Sequence, residues 1–240
     1  MNTFYRAIVL FVCSVILGNV YAQDTPFKFG IRFGGGMSIN PKMDGILVSE
    51  DYYSNYTFKD KWQTVPVLGI FVQYHRPQSV IAVEGGICYW QKSSKLIYDD
   101  KEGLHYTLTP RYNLLGLSAF FKVYPWRKGF NIAAGGRVGA NLNGKGISYE
   151  SNQEDERFSR YQFATVSETQ RLMREKLTGQ LDVALGGGFG YEIGRHWGID
   201  LRYFYGVGST IKTETNTFNW AEHPTHSHNV ELTVSYLFNL

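Results

Sequence analysis

Leu181-Asp-Val-Ala-Leu-Gly-Gly-Gly-Phe-Gly-Tyr-Glu-Ile193, then Gly194-Arg-His196, then Trp197-Gly-Ile-Asp-Leu-Arg-Tyr-Phe-Tyr-Gly-Val207 is the stretch whose reading decides the fold. Leu181, Val183, Leu185, Phe189, Tyr191 and Ile193 alternate with Asp182, Ala184, Gly186, Gly188, Gly190 and Glu192. The second half repeats this, with Trp197, Ile199, Leu201, Tyr203, Tyr205 and Val207 against Gly198, Asp200, Arg202, Phe204 and Gly206. Side chains of a strand alternate between faces, so each half reads as a strand with one oily face. Gly194-Arg195-His196 is short enough for a hairpin turn. Glycine and charges of both signs on the other face suit a narrow polar interior, with the oily face turned toward lipid.

The rest of the chain repeats the pattern. Strands are expected over 27–40, 64–74, 80–96, 104–124, 130–142, 177–193, 197–208 and 229–240. The connections at 75–79, 125–129 and 194–196 are short, and those at 41–63, 97–103, 143–176 and 209–228 are longer. This predicts an all-β fold, an eight-stranded antiparallel transmembrane up-and-down β-barrel with short periplasmic turns and long extracellular loops. In β-strand 104–124, Tyr106, Leu108 and Tyr112 fall on the parity opposite to Leu115, Leu117, Phe121 and Val123. Either a bulge near Asn113 shifts the register, or this part rises above the membrane. Ser167-Glu-Thr-Gln170 suggests a capping box, so 168–175 is expected to form a short helix.

Arg6 precedes an apolar run, Ala7 to Leu17, and Val20 and Ala22 are placed before a cleavage point. Residues 1–22 therefore read as a secretory signal peptide and 23–240 as the barrel domain. The run is too short to span a bilayer, which takes ~20 apolar residues. Of the 2 cysteines, Cys13 leaves with the leader, so Cys88 has no intramolecular partner and reads as a small inward strand residue. A formal charge of +3 points to no nucleic-acid partner.

By parity the inward charges are Lys28, Arg32, Lys92, Lys122, Arg137 and Arg202 against Glu84, Asp182, Glu192, Asp200 and Glu231. An eight-stranded barrel has room only for side chains. A paired network plugging the lumen is the expectation, with a narrow path for ions or small solutes as the alternative. Phe27, Tyr74, Trp126, Phe130, Tyr191, Trp197, Tyr236 and Phe238 all lie near short turns or termini, where one aromatic girdle would sit. His223, His226 and His228 could ligate a metal, but no cysteine or carboxylate completes the set, and no metal or cofactor is expected. His105, Ser148, Ser151 and Asp155 offer the residue types of a surface lipid-modifying enzyme without its spacing. Gly186-Gly-Gly-Phe-Gly190 opens no helix and is not a dinucleotide loop.

Three segments resemble the PorT-like family of Gram-negative outer-membrane β-barrels: Leu115-Gly-Leu-Ser-Ala-Phe-Phe-Lys-Val-Tyr-Pro125, Gly186 to Gly194 leading into Leu201-Arg-Tyr-Phe-Tyr-Gly206, and Val234-Ser-Tyr-Leu-Phe238. The resemblance implies an outer-membrane location, and its namesake is implicated in type IX secretion. It implies no catalytic residue. The expected function is thus a non-enzymatic monomeric barrel in outer-membrane lipid, serving envelope assembly, secretion or surface interaction through a protein partner. Intact mass of the protein extracted from outer membranes should correspond to a chain starting at Gln23. A mass retaining the first 22 residues would contradict the leader reading.

Overall fold

The computed structural model describes residues 26–41, 52, 55–76, 78–126, 129–143, 146–179, 181–208, 211–213 and 226–239. The expected leader lies outside them, as does most of 41–55 and 209–225. The elements are β1 (Phe27–Ile39), β2 (Tyr56–His75), β3 (Ile81–Asp100), β4 (His105–Val123), β5 (Phe130–Asn141), β6 (Ile147–Ser151), a 3-10 turn (Glu156–Tyr161), α1 (Val166–Lys176), β7 (Leu177–Gly179), β8 (Asp182–Ile193), β9 (Trp197–Gly206), β10 (Ile211–Thr213) and β11 (His228–Asn239).

Eight strands close on themselves in the order β3-β2-β1-β11-β9-β8-β5-β4, with β4 returning to β3. Every neighbouring pair is antiparallel. Closure has a physical cause: in hydrocarbon no water satisfies backbone N–H and C=O groups, and only a ring leaves no open edge. In β9, Trp197, Ile199, Leu201, Tyr203 and Tyr205 are exposed while the intervening residues are buried. Leu117, Phe121, Leu185 and Leu232 are likewise more than half exposed. A continuous exposed apolar wall of this kind belongs against lipid. At the short-turn end the hairpin 194–196 turns through Gly194, whose φ of 64° is a left-handed conformation that glycine adopts without steric cost.

The strands are unequal. β2 and β3 have 20 residues each and β4 has 19, against 10 to 13 in the other five. At ~3.4 Å per residue, the surplus carries a ribbon roughly 30 Å along the strand direction beyond the ring. The expected loop 41–63 is corrected here, because β2 begins at Tyr56 and pairs with β3 from Tyr56↔Asp100 to Trp62↔Ser94. The expected loop 97–103 shrinks to a tight turn at 101–104. Charged residues among the alternating aromatics of 56–62 disguise that strand.

The register of β3 on β4 runs without a shift from Ile81↔Val123 to Asp99↔His105, so there is no bulge at Asn113. Tyr106, Leu108 and Tyr112 are buried on the inward face, in the part of β4 that extends beyond the ring. The irregularity lies in β2 instead, between Trp62 and Val67, around Pro66, which cannot donate to a ladder. It exchanges the faces of β2: Leu68, Ile70 and Val72 point out below it, and Lys59 and Lys61 share the outward side above it.

The connection expected at 143–176 is structured. β6 adds to the upper half of β4, with Leu108↔Tyr149 and Pro110↔Ile147 opposite each other. The 3-10 turn and α1 then cover the inner face of this extension. Leu96, Tyr98, Leu104, Tyr106, Leu108, Tyr112, Ile147, Tyr149, Phe158 and Met173 form one buried core there. The capping box lies two residues before the expected one. Thr165 Oγ1 accepts from Glu168 N at 3.2 Å, and Glu168 Oε2 accepts from Thr165 N at 3.2 Å. The bonds that Thr165 donates to Glu168 Oε2, from its backbone N and from Oγ1 at 3.0 Å, hold that carboxyl below the usual carboxylate range. Gln170, expected in the box, instead accepts from Tyr149 N at 3.0 Å and ties α1 to β6. Burial in this core pushes the Tyr149 phenol up to about 12. The extension is thus a packed extramembrane head with its own core.

Leu108 is 0% exposed in that core. Leu108→Ala should weaken the head by about 2–5 kcal/mol while leaving the ring intact. Hydrogen exchange should accelerate over 147–176 and stay slow in β8 and β9; uniform acceleration would mean head and ring unfold as one unit.

Candidate functional site

The lumen is built from the inward positions of all eight strands. At its centre Glu84 of β3 is 0% exposed and meets three cations. Arg32 Nη2 donates to Oε1 at 2.8 Å, Lys122 Nζ lies 2.8 Å from Oε2, and Arg202 Nη1 donates to Oε1 at 3.1 Å. Asp200 joins this cluster, 3.5 Å from Arg32 and 3.3 Å from Arg202. One level up, Arg137 Nη1 donates to Glu231 Oε1 at 2.7 Å. Higher again, Lys92 pairs with Asp182, which also accepts from Trp90 Nε1 at 3.1 Å. Each buried charge among the described residues of the lumen is paired, as the cost of desolvating an ion requires.

Glu192, near the short-turn rim, makes hydrogen bonds to neutral groups. Its Oε1 accepts from Tyr124 and, at 3.0 Å, from Gln73 Nε2, while Gln73 Oε1 accepts from Lys122 at 3.2 Å. This chain links Glu192 to the Glu84 cluster. The cleft between Phe71, Gln73, Lys122, Asn131, Glu192 and Asp200 has no space for a water-sized sphere.

Aromatic rings, absent from the list of inward charges, complete the filling. The Arg32 guanidinium lies 4.6 Å over Phe71, and that of Arg202 lies 4.2 Å over Phe120. The Arg137 guanidinium lies between Trp90 at 4.4 Å and Phe204 at 3.9 Å. Cation–π contact of this kind strengthens when desolvated. Inward glycines make room for the rings: an added Cβ would stand 2.3 Å from Phe71 at Gly30, 2.3 Å from Trp90 at Gly139 and 2.5 Å from Phe204 at Gly186. A signal was present in the sequence, since large rings on the inward parity face inward glycines on the neighbouring strand (Phe71 and Gly30, Phe204 and Gly186) or two strands away (Trp90 and Gly139). Pairing of strands 64–74 and 80–96 with their neighbours had to be known before it could be read.

The eight aromatics singled out above all stand at the short-turn end. Phe27 contacts Tyr74 at 4.8 Å, Trp126 contacts Phe130 at 5.1 Å, Trp197 contacts Tyr236 at 5.0 Å, and Tyr236 contacts Phe238 at 4.8 Å. Tyr191 lies opposite Phe130 in register. Cys88 is a free, half-buried thiol on the inward parity of β3, opposite Gly69 and Gly116.

Of the three histidines of the last loop, His223 lies outside the described residues. His226 Nδ1 is 2.9 Å from Gly206 O, and His228 Nδ1 is 2.6 Å from the Tyr203 hydroxyl. No cluster of three metal-ligating side chains occurs among the described residues. His105 Nδ1 is 2.6 Å from Asp99, and Asp155 accepts from Arg157 at 3.1 Å, so neither is directed at Ser148 or Ser151.

Residues 21–212 match the outer membrane protein β-barrel domain family. No curated protein matches the chain. Similar solved structures include Ail, the attachment invasion locus protein of Yersinia pestis, in complex with the heparin analogue sucrose octasulfate, at 11% identity, 89% of this chain, 100% of that chain and a TM-score of 0.35. Neisserial surface protein A matches at 11% identity over 88% of this chain and 97% of its own, with a TM-score of 0.38. OprG from Pseudomonas aeruginosa matches at 13% identity over 90% and 98%, with a TM-score of 0.39.

Glu231→Ala should lower the urea midpoint in detergent strongly, since it leaves Arg137 buried and unpaired at a cost of about 3–5 kcal/mol. Arg137→Met combined with Glu231→Gln should cost less than Glu231→Ala alone. Equal or additive losses would show that the pair is not coupled.

Proposed function

The chain belongs to the outer membrane protein β-barrel domain family, and from this premise we propose that it is a sealed, non-enzymatic barrel that holds a rigid head at the cell surface for contact with another protein. One observation carries the reading. The continuous inward face of the β3–β4 pair meets paired charges within the ring, around Glu84, and an apolar core above it, around Leu108. The first arrangement supports a closed lumen, and the second supports a firm platform rather than a set of free loops. A ring without an open edge needs no second copy to satisfy its backbone, which favours a monomer. The leader at 1–22 would direct the chain to the periplasm and be removed there.

The resemblance to the PorT-like family gives the finer reading, in which the partner is a component of envelope assembly or of a type IX-like secretion route. The head, with α1 and β6 on its surface, is the part of the fold that would meet it. The aromatic rings at the short-turn end would seat the barrel at the inner membrane interface.

Single-channel recording of the purified barrel in planar bilayers tests the sealed lumen. No steady conductance is expected from the native chain. A stable open level, lost on blocking the lumen, would replace this reading with that of a narrow pore.

A further inference from the structure

Two features of the outward wall have no part in the reading above. The first is a groove at mid-height. Gly85 lies opposite Ala119, and Ala119 opposite Gly136, so three adjacent strands carry small residues at one level. A Cβ added at Gly85 would meet nothing nearer than 4.0 Å. Ile87, Leu117 and Val138 flank a groove of about 580 Å3 beside them.

The second feature is a basic cluster higher on the same wall. Lys61 of β2 stands directly opposite Lys95 of β3, and Arg111 of β4 stands opposite Ser93. Like charges directly opposite one another destabilise a strand pair, so this arrangement calls for an anion. None of the three makes an ion pair with a described residue. Asp99, further up the same face, is already taken by His105 at 2.6 Å. Between groove and cluster lies a polar belt, in which Tyr89 Oη and Gln91 Nε2 donate to Asn113 Oδ1 at 2.9 and 2.7 Å.

The spacing fits one leaflet. From Leu117 to Arg111 is six residues; at ~3.4 Å each and a tilt of ~40° this is a depth of roughly 15 Å, half of a ~30 Å hydrocarbon core. With the groove at the midplane, the cations stand at headgroup height.

We propose that this wall binds a phosphorylated, acylated glycolipid of the outer leaflet. Its phosphate sits on Lys61, Lys95 and Arg111, as charge-assisted contacts to phosphate favour, and an acyl chain lies in the groove beside Ala119. The site does not depend on whether the lumen is sealed, so a conducting barrel would leave it standing.

The test uses the full mature barrel refolded in neutral detergent, with binding read by native mass spectrometry. The probes are bisphosphorylated lipid A, the same lipid stripped of phosphate, and inorganic phosphate. Wild type should hold one lipid A saturably, and dephosphorylation should weaken binding at least tenfold. Lys61→Gln/Lys95→Gln/Arg111→Gln should lose a similar factor, while Lys61→Arg/Lys95→Arg should retain it. Ala119→Leu, which fills the groove without touching a charge, should weaken lipid A several-fold. Heat-shifted migration on a gel shows that each variant is folded. Unchanged binding by the triple glutamine variant would overturn the proposal. So would competition by inorganic phosphate at equal strength, with no effect of Ala119→Leu, because the site would then recognise free phosphate.

Discussion

An eight-stranded ring is too narrow to hold anything but its own side chains, and every ion placed inside must find its opposite there. Glu84 is the clearest consequence. Its carboxylate is shared by Arg32, Lys122 and Arg202, each from a different strand. Those four strands, β1, β3, β4 and β9, are therefore tied across the lumen as well as through their neighbours. Removing one partner from such a group leaves a buried charge, which is far more costly than the group's net contribution is favourable. The ring and its filling are thus a single construction. Glycines at 30, 139 and 186 let Phe71, Trp90 and Phe204 lie flat along the wall beside them, and the rings in turn cover the guanidinium faces.

The same alternation has a different meaning above the membrane. Inward residues of β3 and β4 change from Glu84 and Lys122 to Leu96, Tyr98, Tyr106 and Leu108 with no break in register. Inside lipid, the outer face must be oily and the inner face can be polar. Beyond the hydrocarbon the requirement reverses: the outer face carries Lys61 and Arg111 at headgroup height and Lys59 above them, and the inner face buries a core under α1. The face exchange in β2 near Pro66 keeps that strand in step with β3 across the change of surroundings.

The ring was legible in the sequence because lipid enforces strict alternation over each crossing, as in Trp197 to Gly206. The order of short and long connections gave the sidedness. The head was not legible for the same reason. Tyr56 to Trp62 and Leu96 to Asp100 pair in water, where charged residues are tolerated between aromatics, and their composition resembles a loop. The capping box stands two residues before the one the spacing suggests, because Ser167 and Gln170 also satisfy the pattern that Thr165 and Glu168 fulfil. The inward charges could be named from parity alone, but their partners could not. Arg137 meets Glu231 across 94 residues of sequence, a contact that only the closed topology determines.

The central claim is that odd-numbered residues of β3 face hydrocarbon low on the strand and water high on it. A nitroxide scan along β3 in lipid bilayers, read by collision with oxygen, measures this directly. The account predicts high oxygen accessibility at positions 81, 83, 85 and 87, low values at the even positions between them, and loss of the oxygen signal at 95 and 97, where a water-soluble relaxant takes over. Odd positions from 81 to 87 shielded from oxygen, with the even ones in lipid, would contradict it.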